Sequence, residues 1–289
     1  RKQDSHTPLP SIYMQKSKAT YNASIEIVLS SDEARVIRVY PDGYKMKYKP
    51  GQYGSLGLQS DINPDKLVKR AFCISSSMID INDGSLIDED KTDYFEFYFN
   101  SVPKTKREQL TPKLFNLRTG DRIYCGEKIV GFFTPDNIQS DSNILLVGSE
   151  TGEAPNNSIS ACILKEGIGK NICNLTIGPK KWQTLYRINQ EKMVGTFDNY
   201  FFRLHHCNDV SDIEKIFKNS LADKKFSEDY FGFPLNVKTT HIFLAGDPAF
   251  IGAPKKKGRW KVEKSSSGII PILESEGFNI STRFKPGNI

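Results

Sequence analysis

The residues from Asn143 to Ser158, NILLVGSETGEAPNNS, have types and spacing suited to binding a phosphate group. The run from Ile144 to Val147 is apolar and short, which predicts a buried strand. A loop of small and turn-forming residues follows from Gly148 to Pro155, and a helical periodicity begins after it. A strand, a tight loop and a helix start together present backbone N–H groups and a helix dipole to an anion.

Two features of this loop leave its role open. Glu150 and Glu153 place carboxylates where an anion would bind, and like charges repel. A loop containing glycine also joins many strands to helices without binding any ligand. An ordinary strand-to-helix turn therefore stands beside the phosphate site as an alternative.

The segments on either side of the loop differ in their periodicity. Before it, short β-prone runs separated by turn residues predict a closed antiparallel barrel. After it, strands alternate with helices, which predicts a mostly parallel sheet. The predicted strands are 23–29, 34–40, 44–48, 51–58, 70–76, 93–99, 122–125, 144–147, 171–177, 199–205 and 240–245. The predicted helices are 110–117, a helix beginning at 156, 182–193, 210–221 and 268–277.

The chain of 289 residues is long enough for two domains that each bury a core. Residues 1–20 are polar and contain two prolines, so we expect an N-terminal arm there. We predict a β-barrel domain over 21–139 and an α/β domain over 140–289.

Composition and charge restrict the class of protein. A hydrophobic content of 38% and a charged content of 26% describe a globular chain, and the net charge of +6 is modest. Basic clusters at 45–49, 104–107, 180–181 and 255–259 would together attract an acidic protein or a phosphorylated cofactor, although each alone reads as solvated surface. No nucleic-acid-binding motif is present, so nucleic acid is not an expected partner.

The five cysteines are scattered, and no two form a CxxC pair. Neither zinc nor an iron–sulfur cluster is therefore predicted, and we expect no metal site. Unpaired thiols fit a reducing compartment. The sequence has no apolar segment of the signal-peptide kind and no run long enough to span a membrane, so we expect a cytoplasmic protein.

Five stretches, taken in order, resemble the ferredoxin–NADP reductase family, and most closely its bacterial ferredoxin/flavodoxin–NADP reductases. They are KRAFCISSS (69–77), LTPKLFNLRTGDRIYCGEK (110–128), TGEAP (151–155), AGDPAFIGAP (245–254) and GFNISTRFKPGNI (277–289). The resemblance implies a β plus α/β fold of two domains. An antiparallel Greek-key barrel would bind FAD, and a Rossmann-like domain with a parallel sheet would bind NADP(H).

The resemblance assigns flavin contacts to the first stretch. The family motif is Arg, any residue, Tyr, Ser, and here it reads Arg70-Ala71-Phe72-Cys73. Arg70 would pair with the FAD pyrophosphate, for which a planar guanidinium is suited; a surface charge is the alternative. Phe72 and Cys73 are the expected catalytic residues, because Phe72 would pack on the flavin and Cys73 replaces a serine that hydrogen-bonds flavin N5. The remaining implied FAD contacts are Ile74, Ser75, Ser76 and Thr111, of which Thr111 is also a plain helix cap.

The nucleotide half departs from the family pattern. Glu150 stands where the family has glycine, Ala245 replaces a cysteine, and His205–Asn208 replaces a Thr/Arg cluster that grips the 2′-phosphate. Adjacent histidines on a strand point to opposite faces, so one metal would not take both. The residues that the resemblance still implies for the nucleotide are Ser149, Thr151, Gly152, Gly246 and Asp247. Lys180 and Lys181 are substitute phosphate partners or simply surface lysines.

Two functions follow from the resemblance. In the first, the protein is an oxidoreductase that exchanges electrons between NADP(H) and ferredoxin or flavodoxin, and the basic clusters dock the acidic carrier. In the second, it is a subunit or electron relay of a larger complex that no longer uses NADP(H). Glu150, the missing Thr/Arg cluster and Ala245 motivate the second.

Overall fold

The computed structural model describes residues 20–43, 45–102, 108–257, 261–281 and 287–289, with the backbone alone for 255–257 and 261–262. The strands are β1 (Ala23–Ser30), β2 (Ala34–Pro41), β3 (Tyr53–Gln59), β4 (Leu67–Ser75), β5 (Phe95–Asn100), β6 (Arg122–Cys125), β7 (Asn143–Ser149), β8 (Ile172–Gly178), β9 (Tyr200–His206), β10 (Thr240–Ala245), β11 (Lys255–Lys257) and β12 (Lys261–Glu263). The helices are α1 (Leu110–Leu114), α2 (Glu153–Glu166), α3 (Arg187–Thr196), α4 (Val210–Ala222), α5 (Lys224–Phe231), α6 (Pro248–Ile251) and α7 (Ile269–Ser275).

Strands β1 to β6 form an antiparallel barrel. They pair in the order β1-β2-β5-β4-β3-β6, and β6 returns to β1 to close the ring. Alternate residues of each strand point inward, as the period of two requires. The barrel core contains Ile25, Ile37, Val39, Leu56, Ile74, Phe95, Phe97 and Ile123, all buried. Helix α1 covers one end of this core through Leu110 and Leu114.

One seam of the barrel is incomplete. Strand β4 pairs with β3 along Leu67–Cys73, but it pairs with β5 only at Ile74 and Ser75. On its β5 side, the backbone of the preceding β4 residues has no strand partner within the described part of the chain. This seam is the place where another molecule can contact the β4 backbone.

Strands β7 to β10 form a parallel sheet in the order β10-β7-β8-β9. Both faces are covered, because β7 and β8 are buried along their whole length and carry apolar residues on both sides. Helices α2 and α3 pack on one face, where Ile144, Leu146 and Ile159 lie. Helices α4, α5 and α7 pack on the other face, against Leu145 and Val147. The chain order reverses between β7 and β10.

The predicted fold class, an antiparallel barrel followed by a parallel α/β sheet, is confirmed by this topology. The domain boundary at 139/140 stays a prediction, and residues 1–19 of the predicted arm lie outside the described residues. No helix within the described ranges is long and apolar enough to cross a membrane.

Several predicted elements were wrong or incomplete. Residues 45–48 are not a strand, because side chains instead of a ladder fix this segment: Lys45 Nζ bonds Thr92 Oγ1 at 2.7 Å. Helix α2 begins at Glu153, before the predicted start. Helix α3 begins five residues after Trp182, whose ring packs on the backbone at Gly178. Helices α5 and α6 and the hairpin β11–β12 were not predicted.

Candidate functional site

The residues of the flavin-type motif lie along the incomplete seam of the barrel. Arg70 and Ala71 are exposed, and Phe72 is partly buried. The Arg70 guanidinium donates from Nη1 to Thr111 Oγ1 at 3.3 Å and lies 5.5 Å from the Phe72 ring centroid. The Phe72 ring packs in turn on Phe99, 5.8 Å away. The structure therefore brings four predicted site residues together at the open seam.

Three further predicted FAD contacts turn their polar groups into the protein. The Ile74 carbonyl accepts from Ser158 Oγ at 3.2 Å. The Ser75 hydroxyl lies 2.9 Å from the Tyr186 hydroxyl, and the Ser76 hydroxyl accepts from the backbone N–H two residues later. Ser75 and Ser76 are both buried. The Ser75 hydroxyl thus links the barrel to the α/β half, and the Ser76 hydroxyl fixes the turn after β4. The predicted role of these residues toward FAD phosphates stays a prediction.

Cys73 lies on the opposite face of β4 from Phe72, toward the α/β half. It packs against a small apolar cluster between the two halves that contains Ala34, Val36, Tyr98 and Trp182. Burial raises the pKa of the Cys73 thiol. The thiol therefore stays protonated near neutral pH and can act only as a weak hydrogen-bond donor.

The seam residues fit a flavin nucleotide. No carboxylate among the described residues pairs with the exposed Arg70, so its guanidinium is available to an anion such as a pyrophosphate. Thr111 supplies a hydroxyl beside it at the start of α1. The unpaired β5 side of β4 and the ring of Phe72 offer backbone groups and an aromatic surface. Arg70, Phe72, Cys73 and Thr111 are the residues that would hold FAD.

A buried polar network supports the end of β4 from behind. Glu96 on β5 is fully buried and accepts from Arg38 Nε at 3.2 Å and from Ser77 Oγ at 2.8 Å. The Tyr186 hydroxyl, from the α/β half, donates to Glu96 Oε1 at 2.9 Å and also contacts Ser75. Burial raises the pKa of Glu96, and the Arg38 charge opposes this shift. Tyr186 thus links the end of β4 to the α/β half of the molecule.

The loop after β7 and the loop after β10 are packed directly on each other. A Cβ at Gly152 would lie 2.4 Å from the Ala245 carbonyl oxygen, and one at Gly246 would lie 2.3 Å from Ser149 Oγ. The Ser149 hydroxyl also accepts from the Asp247 N–H at 2.5 Å. These contacts explain the glycines, and they join four of the predicted nucleotide residues at the point where the chain order of the sheet reverses. Thr151 lies half-buried in the same turn.

The two glutamates of this loop have different environments. Glu153 is fully buried at the start of α2 and accepts from Thr184 Oγ1 at 2.5 Å and from Gln190 Nε2 at 3.0 Å. Burial raises the pKa of its carboxyl to about 7. Glu153 therefore faces the interior and does not oppose an anion at the loop, contrary to what its position in the sequence indicates.

Glu150 instead reaches from the loop after β7 to the barrel. We call the space at this boundary, above the contacting loops after β7 and β10, the crevice. Glu150 Oε2 accepts from Asn100 Nδ2 at the end of β5. Its backbone is in the left-handed region, with φ of 48°. Burial raises the pKa of Glu150, and the negative charges of Asp247 and Glu33 raise it further.

The crevice, as it stands in this structure, does not fit the diphosphate of a nicotinamide nucleotide. Glu150 and the exposed Asp247 bring negative charge to it. Asp247 accepts from the Ala249 N–H at 2.8 Å and so caps α6. Lys180 and Lys181 are exposed in the turn after β8, where no contact to the Glu150 loop is seen among the described residues. The predicted replacement of the phosphate-binding residues by these lysines stays a prediction.

The two adjacent histidines at the end of β9 contact different partners. His205 Nδ1 lies 3.0 Å from the Tyr230 hydroxyl, and His206 Nδ1 lies 3.2 Å from the Pro179 carbonyl oxygen. Burial lowers the pKa of His205. Within the described ranges, no three His, Cys, Asp or Glu side chains are grouped to hold a metal ion.

The basic clusters differ in how far nearby carboxylates offset their positive charges. In the cluster at 45–49, Lys47 lies 3.9 Å from Asp90, and Lys49 lies 2.9 Å from Asp136. The cluster at 104–107 lies outside the described residues, as do all the side chains of the cluster at 255–259. Lys180 and Lys181 are exposed.

Sequence reasoning missed the residues that connect the two halves. Glu96 gave a usable signal, because a carboxylate in the middle of the apolar run DYFEFYF is out of place unless it is paired. Asn100 and Tyr186 gave none, since their roles depend on contacts 50 and 90 residues distant in the chain.

Comparisons with known proteins identify reductases of similar sequence. The flavodoxin/ferredoxin–NADP reductase of Buchnera aphidicola is 24% identical over 219 residues, covering 71% of this chain and 77% of the relative. The protein of the same name from Escherichia coli is 22% identical over 228 residues, with the same coverage. No protein-family model matches the chain.

Solved structures share the fold at low sequence identity. A ferredoxin NADP⁺ reductase from Neisseria gonorrhoeae, with bound FAD and NADP, superposes with a TM-score of 0.65 and 14% identity, covering 93% of this chain and 97% of that one. The cytochrome b5 reductase domain of Ulva prolifera nitrate reductase superposes with a TM-score of 0.55 and 13% identity, covering 78% and 86%. The resemblance to ferredoxin/flavodoxin–NADP reductases is thereby confirmed, and this chain has their two-domain fold.

Proposed function

We propose that the protein is a flavin-dependent oxidoreductase that exchanges electrons between NADP(H) and ferredoxin or flavodoxin. The observation that carries the proposal is the open barrel seam, where Arg70, Thr111 and Phe72 meet beside an unpaired stretch of β4. The names of the relatives and the FAD and NADP bound to the Neisseria gonorrhoeae reductase support the same class of enzyme.

The residues at the seam have separate roles in this proposal. Arg70 and Thr111 neutralise and hydrogen-bond the pyrophosphate of FAD, and Phe72 packs on its ring system. On the opposite face of β4, the protonated thiol of Cys73 would donate a weak hydrogen bond to the reacting edge of the flavin. When bound, FAD supplies the chemistry that joins a two-electron couple to a one-electron couple. The protein contributes positioning and exclusion of water, without an acid–base residue.

An acidic electron carrier is the partner that fits the net charge of +6. Lys180 and Lys181 are exposed in the turn after β8, so their charges are available to an acidic carrier. Lys47 and Lys49 contribute less, because nearby aspartates offset their charges. Rim charges of this kind chiefly increase association rates.

A second function is favoured by one observation. Glu150 lies in the nucleotide crevice and hydrogen-bonds Asn100 across it. A chain whose crevice stayed in that state would hold FAD and relay electrons within a larger complex, without using NADP(H).

One experiment separates the two functions. The visible spectrum of the purified protein is recorded without oxygen, before and after NADPH is added, and again after dithionite. Bleaching of the flavin band by NADPH supports the reductase. A flavin that only dithionite reduces supports the relay, and a protein that binds no flavin contradicts both.

A further inference from the structure

The crevice beside Glu150 is the place where the fold itself predicts a ligand. In an open parallel sheet, ligands bind beyond the carboxyl ends of the strands, where the chain order reverses. Here that point lies between β7 and β10, and the two following loops are closed on each other through Gly152 and Gly246. A dinucleotide would therefore lie above this closed floor, on the side toward the barrel.

Glu150 is the side chain that bridges the space above the floor. Its carboxylate reaches from the loop after β7 to Asn100 on the barrel. The other polar atom of the Asn100 side chain, Oδ1, is buried and has no hydrogen-bond partner among the described residues. For that amide group, the contact with Glu150 is thus the only hydrogen bond within the described part of the chain.

The backbone at Glu150 is a second indication that this contact is specific. A φ of 48° lies in the left-handed region, which a residue with a Cβ adopts at a cost and glycine adopts freely. The surrounding loop is fixed by the contacts of Ser149 and Gly152 with the β10 loop. The fold therefore holds a glutamate in a conformation suited to glycine, with its side chain aimed across the crevice.

The charged groups that interact with Glu150 at the crevice are negative. Asp247 and Glu33 are close enough to Glu150 to interact with it electrostatically, and both carry the same sign. Glu153, the other carboxyl of the loop, faces the interior and adds no group to the crevice. A diphosphate entering here would meet repulsion, and it would also need the space of the Glu150 side chain.

We propose that Glu150 is a specificity-determining residue that restricts entry of the nicotinamide nucleotide. With its carboxylate on Asn100, the crevice is closed to a diphosphate. The nucleotide binds only when that side chain has left Asn100 and turned toward solvent. This inference rests on the proposed function, since it assumes that the crevice is the nucleotide site.

The test is a titration of the FAD-loaded protein with NADP⁺, followed by calorimetry and by the flavin difference spectrum. Glu150→Gly removes the side chain, the charge and the strained φ, and we expect NADP⁺ to bind at least tenfold more tightly. Glu150→Gln removes the charge alone and should give a smaller gain of about threefold. Asn100→Ala releases the side chain but keeps its charge, so its gain should also be smaller.

The matched control is Glu166→Gln, which changes the net charge equally at the far end of α2, about 20 Å along the helix. It should leave NADP⁺ affinity unchanged. Equal affinities of the wild type and both Glu150 variants would overturn the inference. If NADPH nevertheless reduces the flavin of the wild-type protein, the proposed function still holds. If neither wild type nor variants bind NADP⁺ while all retain FAD, the inference and the nucleotide part of the proposed function both fail.

Discussion

The two proposed ligand-binding regions of this molecule differ in the charge that they present to an anion. At the barrel seam, the exposed Arg70 and the hydroxyl of Thr111 lie together with no carboxylate partner in the described ranges. At the crevice of the α/β half, Glu150 and Asp247 bring negative charge to the corresponding place. Both regions have the backbone architecture of nucleotide-binding folds, so the difference lies in a few side chains. A shared fold therefore predicts where a ligand would bind, and the local charge determines whether binding of an anionic ligand is favourable.

The largest effect should come from removing the charge at the seam. Arg70→Ala deletes charge-assisted hydrogen bonds to the pyrophosphate, and we expect FAD affinity to fall about a thousandfold. The control is Lys69→Ala on the same strand, whose Nζ lies 3.7 Å from the Tyr124 ring centroid. Flavin fluorescence titration of the apoproteins measures both. Equal FAD affinity for the two variants would remove the distinction between seam and crevice.

The second prediction is that Glu153 affects the stability of the protein and not its binding of the nucleotide. Its pKa is raised from 4.5 to about 7 in the folded protein, so its stabilising effect is complete below pH 4.5 and is lost as pH rises through 7. Between pH 5 and 8 the free energy of unfolding of the wild type should fall relative to Glu153→Gln, by on the order of 3 kcal/mol. Urea denaturation across this pH range is the measurement. Parallel pH profiles would show that Glu153 is ionised in the folded state at all these pH values.

A third, smaller effect tests whether the two regions are coupled. Tyr186→Phe removes the hydrogen bonds to Glu96 and Ser75 but keeps the ring. Because Glu96 then loses a buried donor, we expect about 2 kcal/mol lower stability, together with several-fold weaker FAD binding through the displaced end of β4. Tyr124→Phe, whose ring lies under Lys69 on the barrel, is the control. Lower stability with unchanged FAD affinity would show that the Glu96–Tyr186 network does not influence FAD binding through β4.

The smallest effect concerns the reacting edge of the flavin. Cys73→Ser replaces a weak donor by a stronger one, and we expect the rate of flavin reduction by NADPH to rise about threefold. Cys73→Ala removes the donor and should lower that rate by a similar factor. Stopped-flow absorbance measures both, and the midpoint potential of the flavin should shift in opposite directions in the two variants. Identical rates for all three proteins would exclude a role for this side chain.

The sequence allowed most of the fold to be predicted, because periodicity and turn residues are local signals. The strands of both sheets were found in this way. The strand predicted for residues 45–48 was wrong although the segment has an alternating pattern. In the structure Lys45 hydrogen-bonds Thr92, and Met46 and Tyr48 pack on the barrel core. Helix α6 was missed although Asp247-Pro248 is a helix-start signal, since four residues give no periodicity.

The candidate site was less accessible from sequence than the fold. Arg70 and Glu150 were identified because a family pattern exists at those positions. The orientation of Glu153 could not be predicted from the sequence. A carboxyl at the start of a helix faces either an anion or the interior with the same local sequence. Asn100 and Tyr186 act across the boundary between the two halves, and no local pattern contains that geometry.

The incomplete seam of the barrel has a consequence for the life of the chain before it meets its cofactor. An unpaired strand side is a template on which other chains can add a strand. Along Leu67–Cys73, β4 presents such a side, flanked by the aromatic ring of Phe72. FAD would then act as a chaperone as well as a redox group, by covering a backbone edge that otherwise invites aggregation. Yield of the properly assembled protein should accordingly follow the supply of flavin during synthesis.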